Sequence, residues 1–149
     1  MMNLAEPKIS VVMAVGDVDL KYLNLSILSI LNQNFSNFEF IIILDTNNSF
    51  IVDLVKKYKK KDNRLKLIFN STKMGLARSL NIGIKKSVSK YIARHDADDI
   101  SSYDRLYKQL SYLENNKNIS VLGSYAYKIN KDGKTIGKIN KQIKNKKLL

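Results

Sequence analysis

The sequence predicts an α/β fold, a three-layer α/β/α sandwich on a mainly parallel sheet. Three observations carry that expectation. Short runs that are apolar at almost every position, as strands covered on both faces are, alternate with segments whose apolar residues recur at helical spacing. Strands that alternate with helices need right-handed crossovers, which lay the strands parallel. Finally, polar and acidic residues collect just after the apolar runs, where an open parallel sheet gathers its ligands.

The first strand is Ile9 to Val15 (ISVVMAV), followed by a helix with Leu20, Leu23, Ile27, Ile30 and Leu31 inward. Phe38 to Leu44 (FEFIIIL) is the second strand and stops at Asp45; Ile51, Leu54, Val55 and Tyr58 mark the next helix. Leu65 to Phe69 reads as a third strand, and Leu76, Leu80 and Ile84 as one stripe of a helix beginning near Gly75. Tyr91 to His95 is the fourth strand, ahead of an acidic turn and a helix with Leu106, Leu110 and Leu113 inward. A last apolar stretch covers Ser120 to Tyr127, and Lys131-Asp132-Gly133-Lys134 predicts a hairpin turn, because Asp-Gly tolerates positive φ. One domain over residues 1–140 is expected, with a lysine-rich, disordered tail over 141–149.

Composition narrows the chemistry. The chain has 149 residues and 44% apolar content, enough for one domain with a core. It lacks cysteine, which excludes disulfides and thiolate metal sites, and its one histidine argues against an imidazole zinc site, so any metal is expected to be held by oxygen. Neither a membrane-spanning apolar run nor an export signal is evident, which predicts a cytoplasmic location. The net charge of +13 is uneven: from Lys128 onward eight lysines face one aspartate. That distribution argues against nucleic acid and is compatible with solvated lysine or with peripheral association at an anionic membrane surface, at its inner face.

Asp96-Ala97-Asp98-Asp99 is the most informative element. Three carboxylates in four residues repel one another unless solvent or a cation compensates, and their place after a buried strand suggests Mg²⁺ or Mn²⁺ bridging to phosphate oxygens. The alternative is a solvated turn whose last acids, Asp99 or Asp104, cap the following helix. Asp45 could accept from a base or ribose, or start an Asx-turn. Lys73 and Arg78 could meet phosphate, and Gly75 would aim free amides at an anion. His95 could donate to a phosphate, although a lone histidine at a strand end more often reads as structural. No GxxxxGK[ST] loop and no GxGxxG is present, which argues against an ATPase and a dinucleotide site.

These segments resemble the family 2 glycosyltransferases over Pro7 to about Gly137. The resemblance runs through Ile9–Val15, Ser29-Ile30-Leu31-Asn32-Gln33-Asn34-Phe35 and Phe38–Asp45, then Gly75-Leu76-Ala77-Arg78-Ser79-Leu80-Asn81-Ile82-Gly83. It is most specific in that last stretch, Gly75 to Gly83, followed by Lys90-Tyr91-Ile92-Ala93-Arg94-His95-Asp96-Ala97-Asp98-Asp99-Ile100-Ser101 and Asp104-Arg105-Leu106. It implies the GT-A fold, an inverting and metal-dependent reaction, and transfer from a nucleoside diphosphate sugar, UDP-linked, to a cell-surface polysaccharide or lipid-linked glycan acceptor. By position it implies nucleotide-sugar contacts from Ala14, Val15, Asp45, Arg78, Asp96 and Ala97, and metal ligation by Asp96 and Asp98.

The family's commonest pattern places arginine where this chain has Leu80, not at Arg78. Two departures stand out, the first being Gly16-Asp17 in place of the family's usual Tyr-Asn. Catalytic domains of the family also continue past the position of Leu149, through an acceptor segment and a later acidic general base. The expectation is therefore a C-terminally truncated GT-A fold whose general base lies outside the chain. The alternative is a donor-binding protein without catalysis.

Overall fold

Strand β1 (Ile9–Val15) and strand β2 (Phe38–Leu44) are buried along their whole length, and they pair in parallel with Ile9 opposite Phe38 and Val15 opposite Leu44. Around them the computed structural model, which describes residues 6–139, builds a four-stranded parallel sheet. Its order is β3-β2-β1-β4, with β3 at Leu65–Phe69 and β4 at Tyr91–Arg94. The expected parallel α/β layering is present. The predicted tail over 141–149 lies outside the described residues.

Helices α1 (Leu20–Leu31), α2 (Ser49–Lys61) and α4 (Arg105–Asn115) cover one face of the sheet, where Leu23, Ile27, Ile30, Ile51, Val55, Leu106 and Leu110 meet the odd-numbered residues of β1 and the even-numbered ones of β2. Side chains alternate along a strand, so those residues share a face. Asp19 caps α1 by accepting from the Lys21 amide at 2.7 Å, and Asn48 caps α2 from Phe50 at 3.0 Å. Leu20, read as an inward position of α1, is instead 40% exposed, since it sits in the first turn beyond the sheet's edge of contact.

Helix α3 (Leu76–Lys86) covers the opposite face with a smaller cluster of Val12, Ile41 and Ile43, flanked by Ile68 and Leu80. Here the expected stripe is corrected: Leu76 and Ile84 are exposed, and the buried residues of α3 are Ser79 and Gly83. The reason is close approach. A Cβ on Gly83 would lie 2.4 Å from Val12 Cγ1 and 2.6 Å from Ile43 Cδ1, so the missing side chain lets the helix settle onto the strands.

The apolar stretch from Ser120 adds no strand to this sheet. Its end enters a separate antiparallel hairpin of β5 (Ala126–Ile129) and β6 (Thr135–Ile139), with Val121 and Tyr127 exposed. The predicted turn is present: Gly133 adopts φ 79°, and Asn130 and Lys134 close the loop. Asp104 stands at the N-cap of α4 but makes no side-chain capping bond; its carboxylate pairs with Lys108 instead, so the capping role suggested for it is not realised.

Candidate functional site

Because the four strands are parallel, the residues following β1, β2, β3 and β4 all lie along one edge of the sheet. The chain runs outward from β1 through β2 to β3, then returns to place β4 on the other side of β1. That reversal opens a crevice beyond the ends of β1 and β4, the place where open α/β sheets take ligands.

Ala14 and Val15 end β1. The Val15 side chain is wholly buried in the face under α1 and α2, and its carbonyl accepts from the Asp45 amide at 2.8 Å. Next to them Gly16 has nothing within 4 Å of where a Cβ would stand, so the position that the family usually fills with an aromatic is open space. Asp17 spans the rim, receiving Thr46 Oγ1 at 2.5 Å and Lys73 Nζ at 3.0 Å, and these bonds hold its carboxyl below the usual range. The contact of Lys73 with Asp17 was not visible in the sequence, since the partners are 56 positions apart.

Asp45, 6% exposed, is the hub on the β2 side. Its Oδ1 accepts from Asn70 Nδ2 at 2.7 Å and the Met74 amide at 2.8 Å, and Oδ2 from the Gly75 amide at 2.7 Å. Asn70 and the Met74 amide, outweighing burial, lower its carboxyl pKa. The carboxylate thereby folds the segment after β3 onto the end of β2 and sets the start of α3. Gly75 takes φ 81° there, a conformation that favours glycine. Arg78, in the first turn of α3, is exposed and has no hydrogen bond or ion pair among the described residues.

After β4 the acidic segment closes as a four-residue turn, with the Asp99 amide donating to the Asp96 carbonyl at 3.2 Å. Arg94 grips the Asp96 carboxylate at both oxygens, Nε to Oδ1 at 3.0 Å and NH2 to Oδ2 at 2.9 Å. Ala97 packs against the main core. Partial burial, then the charges of Asp96 and Asp98, raise the Asp99 carboxyl. Asp98 is exposed, and among the described residues no side chain bonds to it. It lines a cavity of about 300 Å³ with Lys21, Tyr22, Ile100 and the hairpin residues Asn130 and Asp132.

Beneath the turn, His95 is 3% exposed and bonded at both ring nitrogens, to Ser26 through Nε2 and toward Arg105 and Ser101 through Nδ1. Burial and then the Arg105 charge push its imidazole down to about 4, so it is neutral at physiological pH. A larger open hollow of about 530 Å³ lies among Lys59 to Arg64, at the opposite edge of the sheet and remote from these residues.

Among the described residues no group of three or more His, Cys, Asp or Glu gathers as metal ligands. A hard divalent cation does not require one: Mg²⁺ commonly takes one or two carboxylates and completes its shell with phosphate oxygens and water. Asp98 fits that donor set directly, and Asp96 fits it once Arg94 lets go.

The family model described as "Glycosyl transferase family 2" matches residues 10–148. An uncharacterised glycosyltransferase of Methanocaldococcus jannaschii is 42% identical over 132 residues, covering 88% of this chain and 46% of that protein. The O-antigen biosynthesis glycosyltransferase WbnJ of Escherichia coli is 39% identical over 140 residues, covering 93% and 54%. The chain thus spans about half the length of these relatives. Among solved structures, Staphylococcus aureus TarS in complex with UDP superposes with a TM-score of 0.67 at 23% identity, over 74% of this chain and 33% of that one. A mannosyltransferase of Pyrobaculum calidifontis in complex with GDP-Man and Mn²⁺ gives 0.65 at 16%, over 72% and 32%. These two likenesses establish the GT-A fold.

Proposed function

Since the chain belongs to glycosyl transferase family 2, we propose that its crevice binds the donor of a metal-dependent, inverting sugar transfer, a UDP-sugar, for delivery to a cell-surface polysaccharide or lipid-linked glycan. The observation that carries this reading is the convergence of Asp45, the start of α3 with Arg78, and the acidic turn along one edge of a single parallel sheet. Ala14, the Val15 backbone and Asp45 would line the base and ribose end. Arg78 and the first amides of α3 would meet the diphosphate, because helix N-termini favour anions.

Asp98, with Asp96 and Ala97 beside it, would hold Mg²⁺ or Mn²⁺ against the same phosphates. The cation, when bound, offsets charge on the departing diphosphate. A neighbour crystallised with UDP and another with GDP-Man and Mn²⁺ support a nucleotide donor and a divalent ion. The O-antigen relative supports a surface glycan acceptor. A second reading is donor binding without transfer. No helix of the described residues is long and apolar enough to cross a membrane; a peripheral position at the inner face of an anionic membrane, drawn by the lysines, belongs to the proposal.

Calorimetric titration with UDP tests it. Binding should require Mg²⁺ or Mn²⁺ and fall at least about tenfold, roughly 1.4 kcal/mol, in Asp98→Ala. Unchanged affinity in that variant removes the metal bridge. Release of free sugar or its transfer to a glycan separates the catalytic reading from the donor-binding one.

A further inference from the structure

We propose that Ser26, His95 and Arg105 are positioning residues that aim Asp98 by clamping the acidic turn from beneath. The inference rests on reading that turn as the cation-binding end of the donor crevice.

Asp98 is the third residue of a four-residue turn closed by the Asp99 amide on the Asp96 carbonyl. With no side-chain bond of its own among the described residues, its carboxylate is placed only by the backbone from which it projects. That backbone is held a second time where the Ser26 hydroxyl donates to the same Asp96 carbonyl at 2.9 Å. A serine has one hydroxyl proton. With that proton on Asp96, Ser26 must accept from His95 Nε2, 3.0 Å away. The imidazole proton therefore sits on Nε2 and Nδ1 is an acceptor.

Nδ1 in turn faces Arg105 NH1 at 3.3 Å and Ser101 Oγ at 3.4 Å. The same guanidinium donates to the Arg94 carbonyl at 2.8 Å, just before the turn, and to Ser101 Oγ at 2.9 Å, just after it. Both ends of the turn are thus tied to one rigid, charged fork from α4. Helix α1 extends the tie, because Ser29 Oγ accepts from the Ser101 amide at 3.0 Å and Gln33 Nε2 donates to the Ser102 carbonyl at 2.7 Å. Ser26 is fully buried and His95 nearly so, which leaves neither able to touch a ligand. What they can do is fix the backbone that presents Asp98. Mutating side chains that orient a metal's ligands typically weakens metal binding roughly 10–100-fold.

The test is titration of the full chain with UDP, with and without Mn²⁺, alongside thermal melting. Ser26→Ala and His95→Leu should weaken Mn²⁺-dependent UDP binding about tenfold or more, and without metal they should bind UDP no better than the unaltered chain does. His95→Gln, which keeps an N–H donor near the reach of Nε2, should recover most of the loss. Ser10→Ala removes another fully buried hydroxyl, at the far end of the sheet. It should leave the Mn²⁺ dependence intact even where it lowers the melting temperature. Wild-type Mn²⁺ dependence in a folded Ser26→Ala overturns the clamp. So does a loss in Ser26→Ala that merely tracks melting temperature in common with Ser10→Ala. If His95→Leu does not fold, Ser26→Ala decides, since it deletes a single oxygen. Failure of the unaltered chain to bind UDP with Mn²⁺ would overturn the donor reading and the clamp together, whereas a loss confined to the variants supports both.

Discussion

Asp45 accepts the backbone amide of Gly75 at 2.7 Å, so the end of β2 and the start of α3 are joined by a single carboxylate. In Asp45→Asn one oxygen remains for Asn70 and Met74, but an amide N–H now faces the Gly75 N–H. Leaving that donor unmatched should cost about 1–3 kcal/mol, seen as a lower melting temperature. UDP affinity should fall with it if, as proposed, the end of α3 set by this loop meets the diphosphate. The sign with pH follows from the depressed carboxyl. A folded-state pKa below the unfolded one means stability that is present above the unfolded value and lost as pH falls through the folded one. Melting curves from neutral pH to below pH 4 should therefore converge for the parent and Asp45→Asn at the acid end. Curves that stay parallel would show that Asp45 contributes nothing through its charge.

The strands and the acidic turn were legible because a parallel sheet covered on both faces leaves unbroken apolar runs, as in β1 and β2, and because carboxylates placed after such a run are conspicuous. The Asp-Gly hairpin was legible from the φ its glycine must adopt. Besides the Lys73–Asp17 contact, two things were hidden. Packing of α3 through Gly83 replaces the apolar stripe with a close backbone approach, which leaves no hydrophobic signature. The grip of Arg94 on Asp96 follows from the period of two that puts both on one side of the extended chain, a signal present in the sequence but easily passed over beside three clustered acids.

Gly83 supplies the next prediction. Alanine suits a helix interior better than glycine does, so Gly83→Ala at an open site would stabilise. Here the new methyl would come within 2.4 Å of Val12 Cγ1. Overpacking of this kind typically costs about 1–3 kcal/mol, and the variant should melt below the parent. A melting temperature at or above the parent's would mean that α3 can shift on the sheet.

Arg94 is the resident counter-charge of Asp96, with its side chain more than half exposed. Removing it in Arg94→Ala leaves the Asp96 carboxylate beside Asp98 without its bonded partner, and with only the more distant charge of Arg105. Mn²⁺ affinity measured without nucleotide should rise, by a few-fold given that exposed pairs are worth roughly 0.2–1 kcal/mol, and the gain should shrink as salt is raised. Weaker Mn²⁺ binding would instead mean that Arg94 holds Asp96 in its ligating direction.

Glu39 tests the separation between fold and site. It lies 3% exposed at the start of β2, at the opposite end of the sheet from the crevice, and its Oε1 accepts from Ser10 at 2.5 Å and the Val88 amide at 2.9 Å. Lys66 stands 2.6 Å from Oε2. Burial pushes this carboxyl up, but Lys66, Ser10 and the Val88 amide together outweigh it and leave it lowered. Glu39→Ala removes the acceptor and strands a buried hydroxyl and a backbone amide, each costing about 1–3 kcal/mol when unmatched. Stability should therefore fall by several kcal/mol in chemical denaturation, and the deficit should narrow as pH drops through the folded carboxyl's pKa, where the parent also loses the ion pair. UDP affinity of the fraction that remains folded should be unchanged, because none of these contacts reaches the ends of the strands. A drop in affinity as large as that in Asp45→Asn would show that strain at the foot of β2 propagates along it to the crevice.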